Sequence, residues 1–202
     1  MLLELNKYLI KLYKKTCKYR RTKIEGNVDK TFWGKYLIRF ISITLSLLIL
    51  FYLPKGFPDS FIEHISGILS ILVGLFITAL IFSFDKFYSK KKDLQQYNDK
   101  LNDTLDFNFT KIFTNITSYT IVLSIFCIVI VSLYILFNEW FNLDFGKSQL
   151  SLTNIDYNYT LQLLIVCIIR LLIIYTLINI IYNTIFIVVT MNDYMNKKLD
   201  KE

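Results

Sequence analysis

Apolar residues in this chain gather into four long runs separated by polar and basic stretches. The first extends from Tyr36 to Leu53 and is stopped by the segment PKGFP at Pro54–Pro58; the second follows at once, from Ser60 to Phe84. So short a connection predicts a tight hairpin. The third run covers Tyr119 to Phe137, and the fourth reaches from Thr160 to Thr190. A helix rises 1.5 Å per residue and needs roughly 20 apolar residues to cross a bilayer core, so each run reads as a transmembrane helix. The fourth is longer than required and is expected to tilt or to project from the membrane.

Two further segments carry helical periodicity. Ahead of the first run, Leu2, Leu5, Leu9, Leu12 and Tyr19 recur at helical spacing, with Lys7, Lys11, Lys14 and Lys18 on the other side. This pattern predicts a basic amphipathic helix that lies in the headgroup plane of an anionic leaflet, each lysine contributing roughly 1 kcal/mol of attraction. It orients and tethers the first span, or else docks a cytoplasmic partner or acts as a mobile gate. Between the second and third runs, Phe87, Leu94, Leu101 and Leu105 fall at near-helical or heptad spacing. The second span is therefore expected to continue as a helix past Asp85, toward Leu105. That extension either forms a solvated helical hairpin within one protomer or pairs with a copy or a soluble partner, as heptads do in coiled coils.

Basic residues set the orientation. Residues 1–39 contain eleven lysines and arginines, the first hairpin loop one (Lys55), the segment from Asp85 to Lys111 six, the next loop one (Lys147), and the tail three. The alternation places both termini and the central segment in the cytoplasm by the positive-inside rule. Trp33, Trp140, Phe141, Tyr157 and Tyr159 border the spans and fit interfacial belts. The expected organisation is an all-α integral membrane protein of the cell membrane. It comprises an amphipathic helix in 1–35, a transmembrane hairpin over 36–84, a cytoplasmic helical segment over 85–118, two further spans in 119–190 and a cytoplasmic tail over 191–202.

Composition agrees with that class and narrows the chemistry. The chain is 54% apolar and 16% aromatic, with a mean hydropathy of +0.44, and its net charge of +7 is concentrated at the ends and in the central segment. Such a distribution points to anionic lipid headgroups rather than to nucleic acid. No cleavable signal is expected, since about 35 polar and basic residues precede the first run. Three cysteines, Cys17, Cys127 and Cys167, and the single His64 have no metal-ligand spacing, and no cofactor is expected. Paired carboxylates, a nucleophile triad, HExxH and a glycine-rich phosphate loop are all missing from the sequence, so no enzymatic activity is expected. Glu63 and His64 are adjacent in sequence, but neighbouring helix residues do not face each other.

Three groups within the spans are candidates for function. In the second span Ser66, Ser70, Gly74 and Thr78 recur every fourth residue and read as a helix-packing seam, within the monomer or between copies in a homo-oligomer. In the fourth span Thr176, Asn179, Asn183 and Thr190 share one sector, bordered by Tyr175 and Tyr182. Their polar groups must find interhelical hydrogen bonds or line a pore built from several protomers. Arg170 lies near mid-membrane on the opposite side of that helix from Asn179. It either pairs with Glu63, or snorkels to outer headgroups, or favours anions in a pore.

The basic helical N-terminus, the short first hairpin and the second-span sequence ISGILSILVGLFITAL (Ile65 to Leu80) together resemble small multi-span membrane components of bacterial anti-phage defence systems. The four-span layout looks most like the membrane subunit of Kiwa-type systems. That resemblance implies a membrane sensor or effector that works with a soluble cytoplasmic partner, as a homo-oligomer and through membrane permeability. The competing expectation is a housekeeping channel, transporter accessory or membrane assembly factor.

Overall fold

A computed structural model of the chain describes residues 2–28, 32–93, 100–141, 143–144 and 157–199. The elements are α1 (Leu2–Tyr19), α2 (Phe32–Tyr52), α3 (Asp59–Asp93), α4 (Lys100–Leu136), the single turn α5 (Asn138–Phe141) and α6 (Tyr157–Leu199). Among the described residues there is no strand, only an isolated bridge between Thr22 and Val28. Three helices are long and apolar enough to cross a membrane, over Asp59–Asp85, Thr104–Leu136 and Tyr159–Leu199. The apolar part of α2, Tyr36–Tyr52, is shorter.

The expected helical continuation past Asp85 is present, and residues 94–99 on the way to Leu105 lie outside the described residues. The second apolar run is helical without a break to Asp93, the third lies in the C-terminal part of a helix that begins at Lys100, and the helix of the fourth continues to Leu199. Leu94 and Lys147 lie outside the described residues, as do the side chains of Leu2, Phe87, Leu101, Trp33 and Tyr157.

The chain divides into two compact units, and α3, α4 and α6 each contribute to both. One unit comprises residues 1–37, 73–122 and 180–202. Its core is Ile112, Phe113, Ile116 and Ile187, with Tyr19, Phe76, Ala79, Phe109 and Phe186 packed around them. Tyr194 stacks on Phe109 with ring centroids 4.2 Å apart and its hydroxyl donates to the Asp106 carboxylate. Lys197 Nζ sits 3.1 Å from Glu25 Oε1.

In this unit α1 is a docked helix, which revises the expectation that its whole leucine face meets lipid. Leu12 and Thr16 are buried, Thr16 Oγ1 donates to the Asn115 carbonyl at 3.4 Å, and Tyr13 meets Tyr119 at 5.9 Å. Thr16 extends the leucine row by one helical turn, so the row's C-terminal end packs on α4. Its N-terminal end remains free: Leu5 is 54% exposed, and Leu3, Tyr8, Ile10, Lys7, Lys11, Lys14 and Lys18 are exposed with it.

The other unit comprises residues 38–72 and 123–179. Here polarity is inverted relative to a protein folded in water. On α2 the buried residues are Ser42 and Ser46, while Phe40, Ile41, Ile43, Leu45, Leu47, Leu48 and Phe51 are exposed. Water would penalise that arrangement by roughly 1.5–3 kcal/mol for each large apolar side chain left outside, whereas lipid does not. Small hydroxyl residues on the inside let helix backbones approach closely, and Ser46 satisfies its own hydroxyl on the Ser42 carbonyl at 2.6 Å. Phe141, expected in an interfacial belt, is instead buried against Tyr134, with centroids 5.4 Å apart and planes at 12°.

Candidate functional site

Arg170 is the largest fully buried side chain, at 1% exposure. Its guanidinium donates from Nη1 to the Pro54 carbonyl at 3.2 Å and from Nη2 to the carbonyls of Phe141 and Leu143, both at 2.9 Å. One α6 side chain thus ties together the α2–α3 turn and the segment after α5. The local sequence explains why the turn can receive it. Gly56 adopts φ +94°, and a Cβ built there would lie 2.6 Å from Arg170 Nη2 and 2.9 Å from the Tyr134 hydroxyl, so only glycine suits both the backbone and the space. Phe57 packs edge-on to Tyr134 at 5.8 Å and stacks on Phe61 at 5.5 Å, closing an aromatic wall beside the cation. Gln162 adds a parallel tie from α6, donating to the Trp140 carbonyl at 2.9 Å.

The expected Arg170–Glu63 pair is not formed, because Glu63 projects from α3 as an exposed side chain. Snorkelling to headgroups and the lining of an open pore also fail, since Arg170 is sealed inside the unit among carbonyl dipoles. A carbonyl cage was not visible in the sequence, because backbone acceptors are carried by every residue.

The polar sector of α6 is buried, and much of its hydrogen bonding is local. Asn179 Nδ2 donates to the Tyr175 carbonyl at 2.9 Å and Thr190 Oγ1 to the Phe186 carbonyl at 2.7 Å. Thr176 Oγ1 donates to the Leu172 carbonyl at 2.9 Å and reaches Cys127 Sγ on α4 at 3.4 Å. Asn183 alone among them takes a cation: Arg20 Nε donates to its Oδ1 at 2.9 Å.

In the sequence Arg20 is one of eleven basic residues in 1–39, and neither Tyr119 nor Asn183 carries a local cue that it receives it. The guanidinium lies 5.2 Å from the Tyr182 ring centroid and 5.8 Å from that of Tyr119, so the cation is flanked by two aromatic faces. Arg20 Nη2 and Asn183 Nδ2 are both buried and have no hydrogen-bond partner among the described residues. Thr117 and Ser124 on α4 likewise bury hydroxyls without partners.

Among the described residues the α3 seam is covered only in part, at Ser66. Ser70, Gly74 and Thr78 are exposed, and nothing stands within 4 Å of a Cβ built at Gly74. Ser70 and Thr78 satisfy their hydroxyls on the carbonyls of Ser66 and Gly74 of their own helix. The face of α3 that is buried instead holds Ile62 and Leu69, with Ile65, Leu72 and Phe76 partly covered.

Among the described residues no group of three or more His, Cys, Asp or Glu could hold a metal ion. The three cysteines are free, and His64 is exposed with its Nδ1 near the Ser60 carbonyl of the same helix. The fold and its interior define an all-helical protein with three apolar helices of membrane-spanning length. Comparison with protein-family models, with curated proteins and with solved structures finds no match to this chain.

Proposed function

We propose that this chain is a non-enzymatic, multi-pass protein of the cell membrane that crosses the bilayer four times with both termini in the cytoplasm, and that it serves as a membrane sensor or effector in bacterial anti-phage defence. It works with a soluble cytoplasmic partner, as a homo-oligomer, by altering membrane permeability. The observation that carries the membrane part is the inversion on α2, with serines inside and large apolar residues outside. At 21 residues α2 rises about 31 Å, enough for a bilayer core once its flanking Phe32–Lys35 turn is included. The half-docked α1 supports the partner role, since its free end presents lysines and apolar residues side by side to lipid or protein.

The defence assignment rests on the resemblance of the N-terminus, hairpin and second span to Kiwa-type membrane subunits. Controlled expression, with and without the soluble protein encoded beside it, tests it through phage plating efficiency, membrane potential and dye uptake. Protection or depolarisation that requires the neighbour supports the reading. Unchanged plating and potential in both strains would leave the housekeeping channel, transporter accessory or assembly factor. Topology is read separately, by impermeant labelling of single cysteines placed at Lys55 and Lys11; labelling at Lys11 and protection at Lys55 would reverse it.

A further inference from the structure

The two arginines described above differ in how their charge is met. Three carbonyls converge on Arg170. Arg20 receives one amide oxygen, two tyrosine faces and, among the described residues, no acid. A guanidinium taken out of water without a counter-charge costs several kcal/mol, and each buried donor left empty costs about 1–3 kcal/mol more. Two such donors belong to one hydrogen-bonded pair here: Nη2 of the partly buried Arg20, and Nδ2 of Asn183, whose side chain is 0% exposed and whose Oδ1 the same arginine already holds. A cation that meets no acid among the described residues, with an empty N–H donor on itself and another on its hydrogen-bonded partner, is the complement of an oxyanion.

We propose that Arg20 and Asn183, walled by Tyr119 and Tyr182, form a receptor for one phosphate-type oxyanion, supplied by an anionic lipid headgroup or by free phosphate. Arg20 Nη2 and Asn183 Nδ2 donate to two of its oxygens, and the guanidinium neutralises it. Arg20 follows the last residue of α1, so the long side chain admits the anion by a rotamer change while the helices stay in place. The site also explains the choice of asparagine: aspartate would fill the role of the ligand, and an apolar residue would leave the Arg20 Nε without an acceptor.

The test uses the purified full-length protein in neutral detergent, with thermal unfolding as the readout. Inorganic phosphate, phosphatidylglycerol and phosphatidylcholine are added in turn. Phosphatidylglycerol is expected to raise Tm by roughly 5–10 °C when about a hundred-fold above its Kd, and phosphatidylcholine, whose phosphate is internally neutralised, is not. An equal shift with inorganic phosphate identifies a free anion as the ligand; a shift with the lipid alone identifies a headgroup. Arg20→Gln should abolish the shift, and Lys23→Gln, at an exposed lysine outside the basic face of α1, should keep it. Asn183→Asp guards against a variant that merely misfolds: the carboxylate supplies the missing charge, so the unliganded variant should melt higher than the parent and no longer respond. A full response in Arg20→Gln, a lost response in Lys23→Gln, or an Asn183→Asp protein that still responds would each overturn the proposal, as would no shift with either anion.

Discussion

Arg170 and Gly56 lie in such close approach that a single methyl group on the glycine would sit 2.6 Å from the guanidinium Nη2. The contact makes the turn of the first hairpin a mould for an α6 side chain. It also bears on how so deeply buried a charge is met, since Glu63 is exposed on α3. The carbonyls of Pro54, Phe141 and Leu143 are fixed dipoles that need no reorganisation to face the cation.

Gly56→Ala should therefore destabilise the protein by about 2–4 kcal/mol, from the positive φ and from displacement of Arg170. Because the two residues share one contact, Gly56→Ala combined with Arg170→Met should cost clearly less than the sum of the single changes. Unfolding in detergent measures all three. Additive losses would mean that the turn and the arginine act independently.

Glu63 is expected to behave as an ordinary surface residue. Glu63→Gln should shift stability by no more than about 0.5 kcal/mol, and its effect should add to that of Arg170→Met. A coupling above about 1 kcal/mol in that double-mutant cycle would restore the ion pair.

The open face of α3 predicts tolerance where the small-residue pattern suggested intolerance. At Gly74 a Cβ meets nothing within 4 Å among the described residues, and leucine replaces glycine in a helix interior, so the monomer should be unharmed or up to ~1 kcal/mol more stable. Native mass spectrometry of the same variant shows whether copies associate through this face: a dimer lost on Gly74→Leu, with monomer stability intact, assigns the seam to contacts between copies. A destabilised monomer would contradict the exposure of the stripe.

Along α1 the effect of a charge should depend on position within the leucine row. Leu12→Glu puts a carboxylate into the docked end and should release the helix, seen as fast amide exchange across residues 2–19 of the full-length protein. Leu5→Glu lies on the free end and should leave exchange unchanged while weakening contact with anionic vesicles. Equal exchange in both variants would show that α1 is not held where Leu12 and Thr16 are buried.

The elements of this protein were legible in the sequence because hydropathy and helical period are local properties. A run such as Thr160–Thr190 excludes loop and strand at membrane depth whatever surrounds it, and the observed helix over Tyr157–Leu199 follows. Partners were not legible, and the reasons differ from residue to residue. The sequence leaves Arg170 open to Glu63, to headgroups or to a pore, whereas in three dimensions backbone carbonyls, which no sequence pattern marks, receive it. The series Ser66, Ser70, Gly74, Thr78 reads as one stripe, yet four residues advance a helix by 400°, so the row drifts about 40° per step and winds away from the buried Ile62 and Leu69. Arg20 was one basic residue among eleven in its segment. Only the docking of α1 on α4, and the placing of Asn183 on α6 within reach, set it apart. Helix formation and apolar length are written residue by residue, whereas the site an arginine occupies is decided by which helix faces meet, and that is a property of the packed chain alone.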